Sequence, residues 1–552
     1  MLAILCNWVY VTFISLGLGV GVSEFSNKIF GYRIKRIDNL LMAGLAIATV
    51  YAQIFSLFAG VGLAANIILV VCCVLIYVFR GKKLRKSYFT SEERIKPGII
   101  IAVVILVLLW AYFTSRGYMH YDSDLYHAQS IRWIEEYGVV PGLGNLHERF
   151  AYNSSFFALS ALFSMKFLCG SSMHTMSGFF ALVSSITALD IARSWKNKKF
   201  LLTDYARAGL IYYLVTIMDE VVSPASDYSI MCVIFFIVIK WLDLLEKSEK
   251  NITPYALLCV LGVYALTLKL TAGLIILLVM KPLYHLIKEK KVKDILLYLL
   301  MGLIVAIPWF ARTVIISGWL LYPFPALDLF NFDWEMNAAV IELDAAQITT
   351  WGRALYNVSL VDLPITQWFP NWFRTTLSGT EKGLILGCLF ALIIYLVDLV
   401  ITICRKRRER FDIILVVGCI LLSYLFWQCS APLIRYGYAY VLLLDFLVLG
   451  QVLHRLGWNK LQNVVYFALL LYGIYKIYAI GQYIYDTRMV QTYIKQANYG
   501  IYEMGNYDVE ENVFYYPLLG DRVGYDYFPA APAEANIELR GDGLEDGFRI
   551  RQ

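Results

Sequence analysis

Long apolar runs alternate with short polar breaks along nearly the whole chain. The runs lie near 1–22, 38–60, 62–80, 98–115, 174–192, 205–219, 226–245, 253–286, 295–316, 383–404, 412–429, 434–453 and 462–484. A helix needs about 20 largely apolar residues to cross the hydrocarbon core, and the run at 253–286 is long enough for a tight pair. The pattern therefore predicts roughly fourteen crossings, in an all-α polytopic bundle of about 12–14 transmembrane helices. Backbone in lipid must satisfy its own hydrogen bonds, which makes these runs helices. None alternates apolar and polar positions as a barrel strand does. The first run lacks a basic start and a small-residue cleavage site and reads as a retained helix.

Composition strengthens this picture. The 552 residues are 59% hydrophobic, 16% charged and 15% aromatic, against about 45–50% apolar and about 25% charged in a soluble domain. The net charge of +6 matters less than its placement. Basic clusters at Arg80–Lys86, Arg193–Lys199, Lys288–Lys293 and Arg405–Arg410 each border a span, so they belong on the cytoplasmic side. Short basic runs flanking spans are topology signals and give no nucleic-acid partner. All ten cysteines lie within or at the ends of apolar runs, with no zinc spacing and no disulfide framework.

With the basic loops inside, the segments 116–154, 220–226 and 317–380 lie outside, and so does the chain from about 485. This predicts a transmembrane helical domain over 1–484, with outer loops 116–154 and 317–380, and a small extracytoplasmic C-terminal cap over 485–552 containing a short strand or two. Counting 155–170 as a crossing would put Arg193–Lys199 outside, so that stretch is expected to lie in the interface or to re-enter. The run 253–286 is interrupted at Thr267-Leu-Lys269-Leu-Thr271-Ala-Gly273. A hairpin turning outward there would bring Lys269 to the side of the 116–154 insert, out of a costly mid-membrane position.

The insert carries Asp122, Asp124 and His127 within six positions. Leu125, Ala128, Ile131 and Ile134 fall on one stripe of a predicted helix over 124–137, expected to lie along the interface with its apolar face down. Asp124 sits where an N-cap belongs, with His127 in reach of it. Asp122 has no capping role and faces the outer mouth of the bundle. The 317–380 loop has six acids, two arginines and twelve aromatic residues, including Trp319, Trp334, Trp351, Trp368 and Trp372. Flat rings beside polar groups suit sugars, and they equally suit an aromatic belt at the membrane surface.

Carboxylates in the first large outer loop, directly after a crossing helix, make the chain resemble the GT-C superfamily of integral-membrane glycosyltransferases. The motif carrying the resemblance is Asp122-Ser-Asp124 with Tyr126-His127. Pro141-Gly-Leu-Gly-Asn145-Leu-His147, Ser317-Gly-Trp-Leu-Leu-Tyr-Pro323 and Ala431-Pro-Leu-Ile-Arg435 look like an uncharacterised bacterial branch. The resemblance implies a GT-C-like bundle, a polyprenyl-phosphate-linked sugar as donor, a glycan or lipid as acceptor, and the bacterial inner (plasma) membrane as location. It implies Asp122 as general base, with Asp124 as orienting partner or alternative base and His127 beside them. Cations facing the leaving phosphate would be Arg435, Lys269 and Arg312, which could instead snorkel. Asn145, His147, Arg149 and Asn153 either shape the acceptor site or tie down a glycine-rich loop. A divalent cation, Mg or Mn, held by Asp122, Asp124 and a phosphate through oxygen ligands, is left open. Two other functions fit the pattern: a polysaccharide polymerase or ligase of cell-surface glycan, and a saccharide or lipid transporter or flippase.

Overall fold

The computed structural model describes residues 1–84, 97–116, 119–197, 200–405, 411–455, 459–486 and 493–551. Most of the basic run at 405–410, and Arg85, Lys86, Lys198 and Lys199, lie outside the described residues. The helices in chain order are α1 Leu2–Phe30, α2 Ile37–Ser56, α3 Leu63–Leu84, α4 Pro97–Ser115, α5 Ala128–Glu136, α6 Ser155–Phe163 and α7 Lys166–Cys169. There follow α8 Met176–Ala188, α9 Ile191–Asn197, α10 Leu202–Thr216, α11 Ser226–Glu246, α12 Thr253–Leu268, α13 Met280–Lys288 and α14 Val292–Ser317. The last are α15 Ala338–Gly352, α16 Ile365–Thr375, α17 Gly379–Cys404, α18 Phe411–Cys429, α19 Tyr438–Arg455 and α20 Asn459–Asp486.

Among the described residues nine helices are long and apolar enough to cross a membrane, and four shorter apolar helices accompany them. The chain is thus a mostly helical, multi-pass membrane protein. Its apolar side chains point outward as well as inward: Ile100, Ile101 and Ile105 on α4, and Leu296, Leu299 and Ile307 on α14, are exposed. Asp38, Asp204, Arg207 and Lys240 are buried. That inversion suits a lipid surround, where apolar surface need not be hidden and charge must be paired.

Close packing of α1 on α2 depends on glycine. A Cβ on Gly44 would stand 1.8 Å from the Ser15 carbonyl oxygen, and one on Gly19 would stand 2.0 Å from that of Leu40. Small residues let two helix backbones approach this closely, the usual means of helix association in a membrane.

The contacts define two faces. On one, ion pairs lace helix ends together: Arg36 with Asp190, Arg207 with Asp204 and Asp243, and Lys281 with Asp412. On the other stand the insert, the 317–380 segment and the C-terminal region. That region forms two hairpins, β1 Met504–Val509 with β2 Asn512–Pro517 and β3 Ile537–Leu539 with β4 Phe548–Ile550, both antiparallel. A second hydrophobic core joins all three: Trp133, Val140 and Phe150 of the insert, Trp319 and Ile341, and Phe514 and Phe548.

This core corrects two expectations. The apolar side of α5 does not rest on lipid. Ile131 and Ile134 enter the main core while Trp133, on another side, enters the second. Nor do most tryptophans of 317–380 stand ready for a ligand. Trp319, Trp368 and Trp372 are buried, and the indoles of Trp319 and Trp372 donate to the carbonyls of Met336 and Pro432. Trp351 is exposed. Residues 155–163 form only a nine-residue helix. Ser154, at its start, donates to the Leu268 carbonyl, and Asn7 donates to the Phe163 carbonyl at its end, so both ends stay near the insert face.

Substituting Gly44→Ala should destabilise the bundle by about 1–3 kcal/mol, the usual cost of overpacking. Denaturant titration of the detergent-solubilised protein measures this, and an unchanged midpoint would contradict the close α1–α2 contact.

Candidate active site at the Asp122 face

Residues Ser123–His127 form a π-turn, with the Ala128 amide donating to the Ser123 carbonyl, and lead directly into α5. Such widened turns recur at functional sites. Helical backbone here has a consequence for the two aspartates. Residues two apart on a helix point about 200° from each other, so Asp122 and Asp124 face different surroundings.

Asp122 faces the bundle. Arg435, on the single turn Ile434–Tyr436 between α18 and α19, donates from Nη2 to Asp122 Oδ2 at 2.5 Å. Arg435 Nε lies 3.4 Å from Asp227 Oδ2. Asp227, in the first turn of α11, is paired in turn with Lys269. Lys269 sits where α12 stops and a 3-10 stretch, Leu270–Val279, begins. The hairpin therefore turns at Lys269, and the lysine reaches the insert side. Asp122, Arg435, Asp227 and Lys269 form one chain of alternating charge, drawn from four distant parts of the sequence. Tyr436 lies along it: Lys269 Nζ stands 3.2 Å from its ring centre, and Arg435 Nη2 donates to its hydroxyl at 2.9 Å. Asp122, Arg435 and Lys269 keep 17%, 21% and 20% of their side-chain surface exposed.

His120 completes the cluster. Its Nδ1 accepts from the Asp122 amide at 3.1 Å and lies 3.1 Å from Arg435 Nη1. Both neighbours are donors, so Nδ1 accepts and the ring proton sits on Nε2. Burial, and then Arg435, hold this imidazole below its ordinary range, against the pull of Asp122. For Asp122, burial alone would raise the carboxyl, but Arg435, aided by Arg149, outweighs it and keeps the group below the usual carboxylate range. Arg435 is held above its ordinary range: burial opposes its charge, while Tyr436, Asp227 and Asp122 favour it. Asp122 is therefore an ionised carboxylate neutralised by an arginine.

The other expected residues have other partners. The Asp124 carboxylate does not cap its own helix. It accepts from the Gly500 amide at 3.0 Å and the Tyr502 hydroxyl at 2.9 Å, while its carbonyl accepts from the amides of Val523 and Gly524. It anchors the C-terminal region. His127 does not bond Asp124. It is buried against Phe157, its Nδ1 has no hydrogen-bond partner, and burial pushes its pKa down to about 3 despite Asp122. Arg312 is buried and donates to Asn153 Oδ1 at 3.0 Å and to Ser56, away from the charge chain. Asn153 also donates to Trp309 and Thr313. Asn145 donates to the carbonyls of Trp334 and Phe548, and His147 pairs with Glu148 at 3.0 Å. Those residues tie loops down. Arg149 stands between the groups: it lies 3.4 Å from Asp344 of α15 and acts electrostatically on Asp122.

Sequence reasoning does not single out Asp227, His120 or Tyr436. A signal for Asp227 is present in the chain, since an acid in the first turn of an apolar span is costly without a counter-charge. For Mg or Mn, Asp122 and Asp124 do not converge, and among the described residues no three His, Cys, Asp or Glu side chains group as ligands.

Replacing Asp124 by Ala should leave the half-buried donors of Gly500 and Tyr502 without their acceptor, at about 1 kcal/mol or more. Limited proteolysis should then cut the region after residue 493 faster than in the wild type, and an unchanged rate would refute the anchor. Stability should also respond to acid. His127 takes up a proton at about 6.5 when unfolded but only at about 3 when folded, so the unfolded state binds more protons in between and stability falls as pH drops below about 6.5. His174 has the same displacement, also to about 3 and also from burial. Melting temperatures measured from pH 7 to 5 should decline, and less steeply for His127→Gln. Equal slopes would show that His127 is not held neutral.

No curated protein and no solved structure matches this chain. Residues 1–442, which carry the whole of the charge chain from Asp122 to Arg435, match the family model described as Domain of unknown function (DUF8201), and the protein belongs to that family.

Proposed function

We propose that the chain is a membrane glycosyltransferase. It moves a sugar from a polyprenyl-phosphate-linked donor to an acceptor hydroxyl at the membrane face that carries Asp122. The observation that carries the reading is the meeting of Asp122, Arg435 and Lys269 in one partly exposed cluster. The resemblance to GT-C enzymes supplies the donor class and makes the membrane the bacterial inner (plasma) membrane.

The chemistry needs a base and fixed cations. The acceptor oxygen attacks the anomeric carbon, its proton passes to Asp122 Oδ2, and the bond from that carbon to the phosphate oxygen breaks. The electron pair leaves on the lipid phosphate, where Arg435 and Lys269 stabilise the added charge. Arg435 neutralises Asp122, which makes the carboxylate a weak base. A donor phosphate competes for the same guanidinium, a group suited to two-point phosphate contact. Loss of that contact raises the proton affinity of Asp122. The base is thereby strengthened by arrival of the donor. Asp227 keeps Lys269 and Arg435 aligned meanwhile, and His120, a neutral acceptor at Nδ1, holds the Asp122 backbone.

Membranes containing the protein, supplied with radiolabelled polyprenyl-phosphate sugars and extracted glycan and lipid acceptors, test the reading. Asp122→Asn should lower labelled product by at least about 100-fold, the scale of a lost general base, with the same amount of folded protein. Arg435→Lys should retain more activity than Arg435→Gln but less than the wild type. Wild-type turnover in Asp122→Asn would overturn the proposal. So would growth of product by whole repeat units, as a polymerase gives, or uptake of label into vesicles without a covalent product, as a transporter gives.

A further inference from the structure

Between α2, α11, α12 and α14, on the face opposite Asp122, lies a cavity of about 410 Å³, within the range of small-molecule sites. Its walls are apolar, formed by residues such as Ala43, Ile47, Leu258 and Val305, and its mouth is charged. Five cations line it, Arg33, Lys35, Arg36, Lys240 and Lys247, against two acids, Asp243 and Glu249. Asp243 is paired with Arg207, whereas Glu249 accepts only from the Asn251 amide and keeps its charge. Three of the cations are engaged as well, Arg33 with Glu24, Arg36 with Asp38 and Asp190, and Lys240 with Asp38. Lys35 and Lys247 are exposed and, among the described residues, make no ion pair. The mouth thus carries a net positive charge, two unpaired lysines against the Glu249 carboxylate, above an apolar interior.

That combination selects a molecule with an anionic head and a hydrocarbon tail. Hydrocarbon in the walls gains from burial, and lysines at a membrane surface attract anionic headgroups at about 1 kcal/mol each. We propose that this cavity binds an anionic phospholipid of the surrounding leaflet, its phosphate at Lys35 and Lys247 and one acyl chain between α2 and α12. The site is distinct from the Asp122 cluster. Asp227 and Lys247 are twenty positions apart along or just beyond α11, which at 1.5 Å per residue is about 30 Å. The assignment does not rest on the transfer reaction. Its occupancy would brace α2 against α11, the helix that begins at Asp227.

Native mass spectrometry of the full chain, released from nanodiscs of equal parts phosphatidylglycerol and phosphatidylcholine, tests the site. The wild type should retain one phosphatidylglycerol, at least about tenfold in preference to phosphatidylcholine. Lys35→Gln/Lys247→Gln, two exposed changes that leave the core alone, should abolish the preference. Ala43→Phe should fill the cavity and lower retention of both lipids, with the melting temperature reporting that the variant has folded. Equal retention of the two lipids by the wild type would overturn the proposal, as would an unaltered preference in the double lysine variant. Exclusive retention of undecaprenyl phosphate from a mixture containing it would overturn the choice of occupant.

Discussion

Charge at the end of an apolar helix needs an opposite charge, and that requirement organises the Asp122 face. Asp227 opens α11, Lys269 ends α12, Arg435 lies between α18 and α19, and Asp122 precedes the π-turn. Each alone would be an unpaired ion beside hydrocarbon, which is expensive. Together they neutralise one another, two acids against two bases, and the helices carrying them are held in register. The same bonds fix where chemistry can occur. A ligand anion entering here meets two cations already placed, and it meets them by competing with carboxylates rather than by ordering loose side chains.

Features set by hydropathy are legible in the amino-acid sequence. That the chain folds mostly into apolar helices, nine of them long enough to cross a membrane among the described residues, follows from the length of its apolar runs, and the break in the 253–286 run at Lys269 follows from the lysine itself. Features set by contacts between distant segments are not legible there. Asp124 looks like a helix cap because capping is a local signal, but its actual partners, Gly500 and Tyr502, lie more than 370 positions away. Asp227 does not stand out because its partners come from other helices. Arg312 reads as a surface cation because its position near the end of α14 is compatible with that, while burial against Asn153 is a property of packing. The tryptophans of 317–380 carry the same lesson: an aromatic ring that suits a sugar also suits a core, and composition does not distinguish them.

Two hydrophobic cores hold the insert rather than one. Ile131 and Ile134 face the bundle, and Trp133 faces Phe528 and Phe548 of the C-terminal region. Gln129 donates to the carbonyls of Gly524 and Tyr527, and Arg132 lies over the Phe528 ring. A segment that in isolation would be a surface helix is thereby enclosed. Rigid support of this kind is what a site needs when its side chains must be held to within a fraction of an ångström.

The clamp on the insert also sets an order of events during synthesis. Proteins are made from the N-terminus at about 5–20 residues per second, so α5 emerges well before the segments from Gly500 to Phe548 that cover it. For that interval Trp133, Gln129 and the Asp124 carboxylate have no cover and stand in water or against lipid headgroups. The polypeptide around Asp122 acquires its final shape only when the chain some four hundred positions later folds back over it, so a far downstream segment is a condition for the insert's geometry.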